Sequence, residues 1–299
     1  FHRYRVRNGE HVVNCKRYSL GMAKKLCEDW ANLLLTEKVK ITLEGDREQA
    51  FVDRVLRENN FEVKANEMQE LKSALGTVAY IPRVVGQEIS EDGSIVPGNA
   101  EGIVLDYVTI DNIYPLSWQN GYISECAFAS VFVRGGHTYM YLQIHHKEDN
   151  GNYAIDNRIY RYDNELLADE LLTNVEGFER IPPVVHTGSP KRQFVIDRPN
   201  LANNYNYLLP VGISVYANAI DVLQGVDIAY DSYVNEFVLG KKRIMVKPAA
   251  STYLDGEPAF DPADVVFYVL PEDVSDGAAI TPIDMTLRTA EHNRGIQDQ

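Results

Sequence analysis

Three histidines, His137, His145 and His146, fall close together in a stretch of β character, where alternation would put His137 and one of the pair on the same sheet face. Imidazole is a zinc ligand, but no cysteine or carboxylate at metal spacing completes a site around them. Carboxylate pairs such as Asp106 with Asp111, or Asp221 with Asp231, are the ligand type that holds Mg²⁺ in nucleases. The chain carries 43 Asp and Glu, so pairs of this kind arise by chance alone. Ser117, Ser189 and Ser214 lack the context of a nucleophile elbow, and neither GxxxxGK[ST] nor GxGxxG occurs to cradle a phosphate. Tyr230 and Tyr233 have rings that stack on bases, yet their helical spacing reads first as packing. Cys15, Cys27 and Cys126 are odd in number and widely spaced, which suits reduced thiols and no disulfide framework. These residues point to no catalytic centre, no metal and no cofactor.

The most informative element is the stretch VGISVYANAIDVLQGVDIAYDSYVNEFVLGKKRIMV from Val211 to Val246. Val215, Ala219, Val222, Val226, Tyr230, Tyr233 and Phe237 recur at steps of three and four and so stack on one face of a helix. Ser214 is placed to cap its start and Gly240 to follow its end. Lys241, Lys242 and Arg243 then complement the negative end of the dipole. Ile220, Leu223, Ile228 and Val234 lie off the main stripe, which predicts contacts on two sides.

Ahead of this helix the chain divides by pattern. Its first ninety residues read as mainly helical. Ser19 would cap a helix with Met22, Leu26, Trp30 and Leu33 on one face and Trp30 in the core, ending before a strand-like KVKITL. Further helices are expected over Glu48 to Arg57, around Phe51 and Val55, and Val63 to Leu75, with Met68 and Leu71 inward and Gly76 as a stop. From Val78 to about Val195 the runs VAYIPRVV, GIVLDYVTI, YISECAFASVFV, TYMYLQIHHK and NYAIDNRIYRY, with turns at Gly135-Gly136 and Asn150-Gly151, predict an antiparallel meander. Glu91 to Gly102 reads as an exposed loop. After Gly240, RIMVKP and VVFYVL form a short β excursion whose loops carry Asp255, Glu257, Asp261, Asp264, Glu272, Asp273 and Asp276. A helix is then expected from near Asp284.

The 299 residues can bury a sizeable core, and two or three modules are expected. The formal charge of −14 argues against a protein that grips nucleic acid through counterion release. No apolar run of about 18 residues and no signal segment is present. A chain that begins at Phe1 and stops at Gln299 inside a helical pattern reads as part of a longer protein.

Four segments in the same order resemble the portal proteins of tailed bacteriophages, specifically those of prophages and siphoviruses of Gram-positive hosts: YSLGMAKKLCEDWANLLLTEKVKI, GIVLDYVTIDNIYPLSWQNGYISECAFAS, FVIDRPNLANNYNYLLPVGI and ANAIDVLQGVDIAYDSYVNEFVLGKKRI. The resemblance spans most of the chain. It implies an α+β fold: a wing domain over residues 1–213, with helices at 19–76 and a β meander at 78–195. A stem-type helix would cover 214–240, a small β clip 241–282, and the start of a second stem helix 283–299. It implies a structural, non-catalytic subunit, in the virion at a capsid vertex and in the host cytoplasm during assembly. About twelve copies would join head to tail in a closed ring.

Double-stranded DNA would pass through that ring non-specifically, driven in by the large subunit of the terminase and released once a head–tail adaptor is attached, with capsid or scaffold proteins around it. In that reading Ile220, Leu223, Tyr230, Tyr233, Val234 and Phe237 serve the subunit interface, and Asp255, Glu257, Asp261 and Asp264 dock the motor. Lys241, Lys242 and Arg243 face the channel or complete the helix end. No membrane is involved. Two other classes remain: a monomeric tail or adaptor binding module that uses the loop from Glu91 to Gly102, and a metal-dependent nuclease.

Overall fold

The computed structural model describes residues 2–8, 11–35, 40–98, 100–163, 166–239, 243–246, 253–254, 257–258, 267–269, 280–283 and 288–298. The fold is mixed α+β with antiparallel sheets and five helices among these residues. It divides into two compact units. One joins residues 1–22 to 219–299, and the other is the continuous stretch 23–218.

The chain opens with a two-stranded antiparallel ribbon, β1 (Arg3–Asn8) and β2 (His11–Lys16), which pairs Arg3 with Lys16 and Tyr4 with Cys15. The expectation of a mainly helical start missed this ribbon. Ser19 does not cap a helix by itself; its hydroxyl accepts from Gly21 N–H at 3.2 Å and donates to Asp227 at 3.0 Å.

Helix α1 (Met22–Leu35) turns Cys27 and Ala31 inward, so its large apolar residues stay outside, Trp30 at 48 % exposure among them. That corrects the placement of Trp30 in the core: the small side chains are those that permit close packing. Of KVKITL, the described residues Lys40 to Leu43 form no strand.

Helices α2 (Asp46–Glu58) and α3 (Phe61–Leu75) pack as a hairpin across Asn60, which takes the left-handed conformation at φ 49°. The Asn59 side chain joins that hairpin to the next sheet, donating to Ile103 O and accepting from Leu105 N–H, both at 2.8 Å. In α3 Met68 is buried as expected, while Leu71 is largely outside.

After the stop at Gly76, β3 (Val78–Val85) pairs with β4 (Gly102–Thr109) in a three-stranded sheet. The meander follows as β5 (Ile113–Gln119), β6 (Tyr122–Arg134), β7 (His137–Lys147) and β8 (Tyr153–Asp163), all antiparallel. Alternating apolar residues and the two glycine turns produce it, but the meander was expected from Val78, and its first two runs, β3 and β4, belong to the separate three-stranded sheet. Pro115 sits in β5, an edge strand, where its missing N–H costs no ladder bond. Strands β9 (Leu166–Glu170) and β10 (Val184–His186) both pair with β8, and β11 (Val195–Asp197) pairs with β3.

The main core lies where β3, β5, β6 and the residue before β11 meet: Ala79, Ile81, Ile113, Ile123, Cys126, Phe128 and Phe194. A second cluster of Ile159, Leu172 and Val175 packs with Phe132, Tyr139 and Phe178, whose ring lies parallel to that of Phe132 at 5.0 Å.

From Ala219 onward the chain belongs to the first unit. A single 3₁₀ turn, Ala217–Ala219, leads into α4 (Ile220–Leu239), so the long helix begins later than its cap signal suggested. Ser214 is engaged elsewhere, donating to Ser73 O at 3.1 Å and accepting from Tyr216 N–H at 3.3 Å. Strand β12 (Arg243–Val246) follows, then the short pair β13 (Tyr253–Leu254) and β14 (Glu257–Pro258), then β15 (Phe267–Val269) and β16 (Ile280–Ile283). In the three-stranded sheet β12 is central, parallel to β15 and antiparallel to β16. Helix α5 (Thr289–Gln297) follows, after a strand that takes up Pro282; Asp284, near which a helix start was expected, lies outside the described residues. Among the described residues no helix is long and apolar enough to cross a membrane.

Candidate functional site

Residues singled out for chemistry do not converge. His145 and His137 share a parity on β7, but they are eight residues apart, about 26 Å along a strand. His145 is buried, with neither ring nitrogen hydrogen-bonded, against the edges of Phe128 at 5.4 Å and Phe194 at 5.5 Å. Burial, helped by neighbouring His146, pulls its pKa down to about 4, so it is neutral in the folded chain. His146 lies on the opposite face, 3.2 Å from Asp156.

Asp106 pairs with Arg83 at 3.0 Å, and Asp111 lies in a 3₁₀ turn. Asp221 and Asp231 are ten residues apart on α4, about 15 Å of helix, too far to share an ion. Ser117 accepts from the Ser124 hydroxyl at 3.1 Å. Among the described residues no group of three His, Cys, Asp or Glu side chains is placed to hold a metal. Burial pushes the Cys126 thiol up to about 12 and raises that of Cys27, which leaves both protonated.

A pair that sequence reasoning missed is His186 with Glu148, Nδ1 to Oε1 at 2.7 Å, beside an open polar depression of about 500 Å³ also lined by Ser94 and Asn152. The Ser94 hydroxyl donates to Asp92 at 3.0 Å, and His186 N–H donates to Gly93 O at 2.8 Å. These contacts fasten the loop after β3 onto β10; nothing in the sequence linked the two segments.

The residues that do come together are on α4. Its length is about 30 Å, and two elements distant in sequence use it. On one side Asp227 accepts from Leu20 N–H at 3.0 Å and from the Ser19 hydroxyl, and lies 3.5 Å from His2. Asp231, nearly buried, accepts from Tyr18 N–H at 2.9 Å. The segment after β2 is thereby strapped along the helix.

On another side, helix α5 packs on α4. Glu236 receives Arg288 through Nη2 at 3.0 Å, Nε at 3.2 Å and the backbone N–H at 3.3 Å, with His292 at 3.4 Å. Arg288 holds the Glu236 carboxyl down at about 2, aided by His292. The Tyr233 ring meets Phe237 edge-on at 5.0 Å and His292 at 6.3 Å. Tyr233 therefore serves contacts within the chain, while Ile220, Val222, Ile228 and Phe237 stay substantially exposed, Ile228 at 50 %. Leu223, Tyr230 and Val234 are half-buried.

Helices α4 and α5 bracket the small sheet, and β12 pairs with β16 so that Arg243 stands opposite Ile283. Arg243 is thus the first residue of a strand and not a helix end. Glu257 begins β14. Lys241, Lys242, Asp255, Asp261 and Asp264 lie outside the described residues.

The continuous unit contributes a separate exposed surface. In the loop from Arg198 to Gly212, Arg198 donates to Pro210 O at 2.9 Å, Asn203 to Val211 O at 3.1 Å, and Trp118 Nε1 to Leu208 O at 3.2 Å. So held, the loop presents Tyr205, Tyr207 and Leu208 outward, Tyr207 at 86 % exposure.

No known family model matches the chain, and no curated protein matches it in sequence.

Proposed function

We propose that this chain is a non-catalytic subunit of a phage portal, a ring at one capsid vertex through which double-stranded DNA is packaged and ejected. The observation that carries the reading is the order helix, small sheet, helix, in which α4 and α5 pack on one another through Glu236, Arg288 and Tyr233 while β12 and β16 join the chain at their ends. A stem of two helices with a clip between them has that order. The four segments that resemble portals support it, as do the apolar surfaces on α1, on the loop at Tyr207 and on α4, which suit burial between copies. Packaging energy would come from a terminase docked at the β module, release from an adaptor and tail, and the ring would sit among capsid or scaffold proteins.

The test is the native mass of the full gene product, with negative-stain images of any large species. Closed rings with a central hole support the reading. A full gene product that stays monomeric across concentration and salt refutes it and leaves the tail or adaptor binding module. Mg²⁺-dependent cleavage of DNA by the purified protein would replace it with a nuclease.

A further inference from the structure

The basic residues of this acidic chain are unevenly distributed. Residues 1–17 hold Arg3, Arg5, Arg7, Lys16 and Arg17 against one acid, Glu10. In a strand successive side chains alternate between faces, so Arg3 and Arg5 share a face of β1, and the register sets Lys16 and Asn14 opposite them. The other face carries Tyr4, under the Arg17 guanidinium at 4.8 Å, and points the same way as His2, which reaches Asp227 of α4.

Arg3, Arg5 and Lys16 are exposed, and among the described residues none has a carboxylate within ion-pair distance. Arg3 and Lys16 are direct cross-strand partners, and like charges placed so repel. The ribbon thus holds a one-signed face that the described residues of its unit leave uncompensated, which is the electrostatic form of an anion-binding surface.

We propose that this face of the β1–β2 ribbon binds the sugar–phosphate backbone of nucleic acid without reading sequence. Arginine forks match phosphate oxygens two at a time, and Asn14 adds a neutral donor on the same face. Alternate residues advance about 6.8 Å, the axial rise of two nucleotides on one strand, so Arg3 and Arg5 keep pace with a phosphate chain. Net charge set the expectation against gripping nucleic acid; a local stripe governs the near field, screened over about 8 Å at physiological salt. The inference stands apart from the portal reading: a monomer that binds duplex would keep this one and lose that.

The test is fluorescence anisotropy of a labelled 30-bp DNA duplex with the whole chain, from about 50 to 300 mM KCl. Wild type should bind duplexes of unrelated sequence alike, with log K falling against log salt at a slope of about −3, as three cations displacing counterions require. The Arg3→Gln, Arg5→Gln, Lys16→Gln variant should bind at least about tenfold more weakly, with a slope near zero. A control that removes exposed Arg54 and Arg57 of α2 should be unchanged. Arg3→Lys with Arg5→Lys keeps the charge and should keep the slope within about one unit. Equal loss in the lysine and glutamine variants would make the effect structural and overturn the proposal. So would no binding at the lowest salt, or a glutamine variant equal to wild type. Polyglutamate displacing duplex at equal charge would also overturn it, in favour of an acidic peptide partner.

Discussion

Gly76 and Gly212 cross with their backbones in contact: a Cβ placed on Gly76 would lie 2.6 Å from Gly212 O, and one on Gly212 would fall inside the contact radius of Gly76 O. Around the crossing, Gly212 N–H donates to the Thr77 hydroxyl at 2.9 Å, and Val215 N–H to Ser73 O at 3.0 Å. Gly76 has a second reason to lack a side chain, its φ of 86°, which closes α3 with an N–H bond to Lys72 O at 2.8 Å. Gly212→Ala should therefore destabilise the continuous unit by on the order of 3 kcal/mol, since backbone must move to admit the methyl group. Urea unfolding of the variant against wild type checks it; a change under about 0.5 kcal/mol would mean the crossing opens easily.

Asp227 fastens the segment after β2 to the long helix. Asp227→Ala removes the acceptor for both Ser19 and Leu20 N–H. Amide exchange in β1 and β2 should rise by at least about tenfold, the equivalent of one to two lost hydrogen bonds, while exchange in β6 and β7 stays as it was. Unchanged exchange in the ribbon would show that Asp231 and Tyr18 suffice to hold it.

The Glu236 carboxyl titrates at about 2, below its ordinary 4.5, because its charged form is bound by Arg288. The folded state releases the proton more readily than the unfolded one, so the contribution is whole above about pH 4.5 and is lost as pH falls toward 2. Protection of α5 amides should hold from pH 7 to 5 and decline between 4 and 2. In Glu236→Gln it should be reduced already at pH 7, and much flatter across the acid range. A wild-type profile as flat as that of the variant would remove Glu236 as the clasp.

His145 has the same sign for a different reason, burial of a neutral ring instead of pairing of a charged one. Its folded pKa of about 4 lies below the ordinary 6.5, so between those values the unfolded chain takes up a proton that the folded chain refuses. Stability should fall as pH drops from 6.5 to 4, by up to about 3 kcal/mol at the lower end. His145→Phe, which adds a third ring to Phe128 and Phe194 and leaves no buried nitrogen, should remove most of that dependence and cost little at pH 7. Urea midpoints at pH 7 and 5 for both proteins test it, and an equal drop in both would assign the acid sensitivity elsewhere.

What was legible in the sequence was what local pattern determines. Alternation and the turns at Gly135-Gly136 and Asn150-Gly151 gave the meander its strands and its order. The helix around Tyr230 was legible from its period. Its start was not, because the cap signal at Ser214 is spent on Ser73, a partner 141 residues away. Trp30 misled because hydrophobicity alone does not say which face of α1 turns inward; Cys27 and Ala31 do, by being small. The ribbon of Arg3 and Arg5 was legible and was overlooked: Arg3-Tyr4-Arg5-Val6-Arg7 alternates polar with apolar residues, and Asn8-Gly9 is a hairpin signal. Asp231 looked like half of a metal site, and only the fold reveals that Tyr18 N–H satisfies it.

The pairing of β12 with β16 has an evolutionary consequence. Three residues separate α4 from β12 and five separate β16 from α5, and Arg243 stands opposite Ile283 where the two strands meet. Chain inserted between Val246 and Phe267, or between Val269 and Ile280, lengthens the loops without breaking the pairs that hold β12 between β15 and β16. The module is in effect a graft on a fixed stock, able to change in length while the pairing of β12 with β16 keeps one register.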